Sequence, residues 1–289
     1  MKKKLLLVTF IFSFLFTVCA ISSAHSDNPS NAHRIMSFNI RYGSANDGEN
    51  SWTNRKELLF EVIKEYNPDI LGVQEALDFQ INALATKFAH FKRSGVGRDD
   101  GSHAGEHSAI FYDSTKFSII REETFWFSET PQKAGSMSWG AHFPRICSWA
   151  ELVDNEGKRI FVFNNHWDHE SQVSRKNSAQ MLINKIKELK IPAHIIVMGD
   201  FNAGENNPAF RILIDDAFVK LKDTFRALKP AAKETGTFNG FDGVSTGEKI
   251  DAILVSATFK IINADILHTN RNGTYPSDHF PVTAELLTK

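Results

Sequence analysis

Disulfide bridges, a surplus of either charge, and repeats are all missing from this 289-residue sequence. Its two cysteines are Cys19 and Cys147, and the first lies in a leader-like segment, so one thiol is left in the body of the chain and no internal bridge can form. Stability must then come from a hydrophobic core, for which 42% apolar and 11% aromatic residues are ample. The formal net charge is −1, and without Lys2, Lys3 and Lys4 the balance is 30 basic residues against 34 acidic ones, about −4. Such a surface lacks the basic footprint that holds duplex nucleic acid, so any phosphate recognition must be local. There is no low-complexity tract, no long linker and no G-x-S-x-G elbow, which argues for one domain over residues 25–289 and against a serine hydrolase.

The one long apolar run stands at the start, "MKKKLLLVTFIFSFLFTVCAISSA". A basic n-region, a stretch from Leu5 to Ala20 shorter than the ~20 residues a spanning helix needs, and small residues at Ala20 and Ala24 predict a signal peptide over residues 1–24. Export to the periplasm or the extracellular space is expected. An uncleaved anchor and a lipid-modified Cys19 are the less favoured alternatives, the latter because Val18 is bulkier than such sites usually accept.

From Arg34 onward, β-type apolar runs alternate with amphipathic stretches. Strands are predicted at "RIMSFNI", "PDILGV", "HSAIFY", "FSIIREETFWF", "ICSWAELV", "KRIFVFNNHW", "AHIIVMGDFN", "KIDAILVS", "KIINADIL" and "FPVTAEL". Short turns such as "VDNEGKR" imply antiparallel pairing. Helical periodicity covers Thr53 to Tyr66 and Ser171 to Lys190. The simplest packing is α/β: two mixed, mostly antiparallel sheets face to face, with helices on the outer faces.

Polar residues interrupt these strands at their ends: Asn39, Glu75, His166 and Asp168, Asp200 and Asn202, Asp251, and the Asp278-His279 pair. Taken singly, each reads as a turn former, a helix cap or a satisfied histidine. Together they could gather on one rim, since burying them unpaired is costly. Asn39, Glu75, Asp200, Asn202 and Asp278 offer only oxygen ligands, which favour magnesium, manganese or calcium over zinc and point to phosphoryl chemistry.

In order along the chain, "SFNIRYG", "PDILGVQE", "GEHSAIFY", "NNHWDH", "GDFN", "KIDAILVS" and "YPSDHFPV" resemble the motifs of the endonuclease/exonuclease/phosphatase superfamily. The resemblance implies a four-layer α/β sandwich and a hydrolase of phosphoesters dependent on Mg2+ or Mn2+. The substrate expected is a nucleic acid, a nucleotide or another small phosphoester, and the enzyme a phosphodiesterase or nuclease, with a phosphatase or phospholipase C-like enzyme as alternative. It implies Asn39, Glu75 and Asp278 at the metal, Asp200 as the acid that activates the attacking water or holds a second ion, Asn202 on the phosphate, His279 on the scissile phosphate oriented by Asp251, and His166 backed by Glu106. Arg145 and Arg175 are candidate substrate anchors. Trp52, Trp126, Trp139 and Trp167 are pocket or core residues, and "GVGRDDGSHAGEHS" has the composition of a mobile loop whose aspartates would repel a polyanion. A monomer without a membrane span after cleavage is expected. A silent binding protein on the same fold is the rival of another class. Half of a zinc-hydrolase motif in "HWDH" is discounted, because Asn164 stands where its first histidine should be.

Overall fold

The computed structural model describes residues 31–189 and 193–289, so the predicted leader lies outside the described residues. The elements are β1 (His33–Asn39), α1 (Trp52–Tyr66), β2 (Ile70–Ala76), α2 (Asp78–Lys87), β3 (Phe91–Ser94), β4 (His107–Asp113), β5 (Phe117–Trp126), β6 (Ile146–Asp154), β7 (Arg159–His166), α3 (Gln172–Lys187), β8 (His194–Asp200), α4 (Pro208–Asp215), β9 (Lys222–Asp223), α5 (Thr224–Leu228), β10 (Asp251–Val255), β11 (Phe259–Ile266) and β12 (Val282–Thr288).

The strands form two six-stranded sheets, ordered β11-β12-β1-β2-β4-β3 and β5-β6-β7-β8-β10-β9. Among the described residues only two strand pairs are parallel, β1 with β2 and β7 with β8, and a helix connects each: α1 crosses over the first pair and α3 the second. The remaining neighbours are antiparallel.

Three apolar clusters separate four layers. Ile35, Ile110, Val162, Ile196, Ile253 and Val282 belong to the cluster between the sheets. Leu59, Val62 and Ile63 of α1 pack with Phe38, Val73 and Phe111 on the outside of the first sheet. Leu182, Ile183 and Ile186 of α3 do the same with Phe163, Ile195 and Val197 on the second. Central strands must be apolar on both faces in this arrangement, which is why β1 and β8 read as near-continuous hydrophobic runs. The architecture is the expected four-layer α/β sandwich.

Element ends follow local chemistry. α1 stops at Asn67, which takes a left-handed conformation (φ 52°) ahead of Pro68. The Ser171 hydroxyl caps α3 by accepting from Ser174 N, and Asn207 caps α4 ahead of Pro208. The short strands β3 and β9 and the short helices α4 and α5 escaped the sequence reading, being too brief to show a period. α2 begins at Asp78, after Ala76 has closed β2.

One feature of the second sheet admits almost no variation. Gly199 in β8 has φ 144°, and a Cβ there would lie 1.9 Å from the carbonyl oxygen of Asn165 in β7. Only glycine lets these two parallel strands approach at the register that pairs Asn165 with Gly199. Gly199→Ala is expected to cost more than about 3 kcal/mol, or to leave no soluble protein. Urea unfolding checks this, and an unchanged midpoint would contradict the close approach.

Candidate active site

Strand polarity gathers the polar residues. The C-terminal ends of β1, β2, β7 and β8 carry Asn39, Glu75, His166 and Asp200. Antiparallel neighbours enter at the same edge, so β4 begins beside Glu106, β10 begins with Asp251, and Asp278-His279 precede β12. Register does the rest, setting His166 beside Asp200 and Asp200 opposite Asp251. All of these except Asn39 and Asp251 line one cleft of about 550 Å3, and those two stand directly behind it, bonded to its lining.

His279 holds the centre. Its Nδ1 donates to Asp251 Oδ2 at 2.8 Å, and Nε2 lies 3.8 Å from Asp200 Oδ2. Burial alone would pull its pKa down, but Asp251, Asp200 and Asp278 push it well above the ordinary range, so the ring carries a proton on each nitrogen. Asp200 is 1% exposed, accepting from Asn39 Nδ2 at 3.0 Å and from Asn202 N at 2.8 Å. Burial and then the nearby Asp251 push it up to about 7.

Glu75 sits at a break in strand register between Val73 and Ala76, with φ 62°. That left-handed residue in a bulge turns the carboxylate into the cleft, where it accepts from Asn39 Nδ2 at 3.0 Å and Tyr42 N at 3.1 Å. Asp278 is raised by burial, and Arg41 Nε stands 3.6 Å from it. Arg55 lies behind both as a fully buried cation with no carboxylate in contact. It donates instead to the carbonyls of Asn50, Ile40, Pro276 and Arg41, which ties the loop after β1 to the loop before β12. Its burial lowers it to about 10.

Across the cleft, burial together with Arg145 and Arg98 holds His166 well below its usual range, so it is neutral. Its Nε2 is 3.6 Å from Asp200 and its Nδ1 3.8 Å from Glu106. Burial pushes Glu106 up to about 7 against the pull of Arg98, whose Nη1 donates to it at 2.7 Å. Asn202, with φ 44°, donates Nδ2 to the Trp167 carbonyl.

The two arginine candidates part company. Arg145 is 4% exposed, lines the cleft and donates Nη2 to His169 Nδ1 at 2.9 Å. Arg175 does not line it; its guanidinium is spent on the Asp168 carbonyl and the Gln172 side chain, bracing the start of α3. Asp168 likewise organises its loop, accepting from the backbone of His142, Glu170 and Ser171. Trp52, Trp126 and Trp167 are buried, and neither they nor Trp139 lines the cleft. The 95–108 segment is a turn closed by backbone bonds such as Arg98 N to Glu106 O, with Asp99 and Asp100 exposed. Sequence reasoning passed over Arg41, Phe143, His169, Phe238 and Glu248, all on the cleft wall. Arg41 was visible in "SFNIRYG" and His169 in "NNHWDH"; Phe143, Phe238 and Glu248 sit in loops with no periodic signal.

The donor set suits a divalent cation. Five carboxylates, Glu75, Glu106, Asp200, Glu248 and Asp278, line the cleft against two guanidiniums, Arg41 and Arg145. An anionic ester would be repelled there unless a cation accompanied it. Ligand atoms of Asp200, Asp251 and His279 lie within 4.8 Å of one another and could hold an ion. His279 Nδ1 is already bonded to Asp251, however, and an imidazole is a softer ligand than a carboxylate. Glu75, Asp278 and Asp200, hard oxygen donors, fit better.

The sequence profile of the Endonuclease/Exonuclease/phosphatase family matches residues 36–279. A Bacteroides vulgatus structure of that family is 34% identical, with a TM-score of 0.83 over 89% of this chain and 99% of the other. The mannosyl-6-phosphatase of Bacteroides thetaiotaomicron is 33% identical, with a TM-score of 0.80 over 88% of this chain and 99% of its own. Mouse nocturnin is 22% identical over an alignment of 300 positions that takes in 91% of this chain and 66% of nocturnin's length.

The raised acid makes metal-free stability depend on pH. Folded Asp200 keeps a proton up to about 7, whereas its ordinary value is 3.8, so its contribution is fully present below 3.8 and is lost as pH rises through about 7. A divalent cation competes for the same oxygens. Added magnesium or manganese is therefore expected to raise Tm more near pH ~8 than near pH ~5 relative to chelator. Scanning calorimetry decides it: equal shifts at both pH values would argue against Asp200 as part of the cation site.

Proposed function

The chain belongs to the endonuclease/exonuclease/phosphatase family, whose members hydrolyse phosphoesters, and from that premise we propose that it removes phosphate from a small sugar-type phosphoester. The observation that carries the reading is the convergence of His279, Asp200, His166, Glu75 and Asp278 on one cleft, with His279 Nε2 3.8 Å from Asp200 Oδ2. Such a pair supplies a proton donor and a proton acceptor beside one reacting phosphoryl group.

In this reading Asp251 fixes the His279 ring so that Nε2–H points to a phosphoryl oxygen, where it offsets charge as the transition state forms. Ionised Asp200 takes the proton from the attacking water. Asn39, bonded to both Asp200 and Glu75, keeps the two carboxylates in register. Neutral His166 has one N–H; carried on Nε2 it is offered to the ester, while Nδ1 is left as an acceptor beside Glu106, itself pushed up to about 7. A divalent cation, magnesium or manganese, held by Glu75 and Asp278 with Asp200 nearby, would polarise the phosphoryl oxygen and lower the charge on the ester.

The substrate class rests on the cleft. Its size suits a single sugar rather than a polymer. Phe143 and Phe238, 40% and 51% exposed, offer apolar surface for a ring. The likeness to the Bacteroides thetaiotaomicron mannosyl-6-phosphatase spans almost that whole chain and supports the same choice. A phosphodiesterase or nuclease is the second reading, favoured by the family's breadth, though Asp99 and Asp100 stay exposed on the neighbouring turn. We further read residues 1–24 as an export signal; N-terminal sequencing of secreted protein that began at Met1 would exclude it.

Phosphate release from hexose 6-phosphates, compared with bis-p-nitrophenyl phosphate and a single-stranded oligonucleotide, tests the assignment. The hexose phosphate is expected to be favoured. Asp200→Asn is expected to lower kcat by about 10²-fold or more with little change in KM. Turnover of the diester or oligonucleotide alone would promote the second reading.

A further inference from the structure

Behind His166, in the wall of the cleft, lies a narrow recess of about 10 Å3 whose lining includes Arg98, Glu106, His107, Arg145 and His166, with Pro144 and Ile146 beside them. That is close to the space one water needs. Two buried polar atoms of this lining, Arg145 Nη1 and His107 Nε2, have no hydrogen-bond partner, while Arg98 Nε and Arg145 Nε, also without one, stand 3.9 Å from Asp99 Oδ1 and 3.6 Å from Asp168 Oδ2. Arg98, His107 and Arg145 are each less than 9% exposed, so solvent does not satisfy them. Buried polar groups left unpaired are rare in folded proteins.

The chemistry of the lining identifies the occupant. His107 Nδ1 lies 3.0 Å from the Ala76 carbonyl, which can only accept, so Nδ1 carries the proton. Burial keeps the ring neutral, and Nε2 is then a bare acceptor. The recess thus presents N–H donors from two guanidiniums and acceptors from the imidazole and the Glu106 carboxylate. A cation would face the guanidiniums, and an anion would face the carboxylate and the imidazole lone pair. Water, which donates twice and accepts twice, matches both.

We propose that one buried water occupies this recess, accepting from Arg98 and Arg145 and donating to His107 Nε2 and Glu106, and that His107 thereby positions the Glu106–His166 pair. The chain of bonds runs from the Ala76 carbonyl, next to Glu75, through His107 and the water to Glu106. One end of the cleft is in this way connected to the other without passing through the substrate. His107 touches no substrate and acts only through Glu106.

A crystal structure of the full chain that orders internal solvent is expected to show this water bonded to His107 Nε2; a recess that is empty, or filled by a side chain, overturns the proposal. The kinetic arm rests on the hydrolase reading and uses two amides. His107→Asn carries its amide to about the position of Nδ1, which keeps the Ala76 bond and loses the water. His107→Gln reaches the position of Nε2 and restores it. The Asn variant is expected to lose about tenfold in kcat at unchanged KM and Tm, and the Gln variant to retain most of the rate. Equal rates in the two variants overturn the positioning role. Absence of turnover in the unsubstituted chain would refute the hydrolase reading instead, and the crystal structure would still decide the water.

Discussion

Crowding of like charge is the constraint on which the rest of the structure depends. Asp200 and Asp251 face each other across neighbouring strands, with Glu75, Glu106 and Asp278 around the same cleft. Directly opposed acids repel, and burial magnifies the penalty. Protonated His279 offsets it at the centre, Arg41 and Arg55 at one end, Arg98 and Arg145 at the other. The cations are placed by hydrogen bonds to carbonyls and imidazoles as much as by ion pairs. Arg55 spends its donors on four carbonyl groups and stabilises Asp278 and Glu75 only through space.

Backbone geometry carries part of the same load. Arg41, Glu75 and Asn202 all take positive φ, a region that costs side chains with a Cβ about 1 kcal/mol or more each. All three line the cleft. Strain concentrated there is sustained by the packed sheets below, whose apolar clusters fix the strand ends. The fold is rigid where the chemistry needs convergence, and three of the eight non-glycine residues with positive φ among the described residues stand at its rim.

What the sequence disclosed follows from range. Apolar runs of five or more residues were legible as strands because burial on both faces leaves a local record, and the order of the motifs carried the fold. Residues at strand ends, from Asn39 to His279, were legible because polar interruptions of apolar runs stand out. Arg145 and Arg175 were not separable, since what distinguishes them is a neighbour: Arg145 meets His169 at the cleft, while Arg175 meets its own helix start. Phe143 and Phe238 were hidden because loop positions obey no period. The recess behind His166 depends on four segments meeting, which no single stretch records.

The register that sets Asp200 against Asp251 has an implication for quality control. Successive residues on a strand face opposite sides, so a slip of one position between β8 and β10 would send one acid away from the cleft and an apolar neighbour into it. A misregistered chain would then be both badly packed and inert. Correct assembly of the second sheet and possession of a working site are a single event, and specific activity in a preparation counts the properly folded molecules.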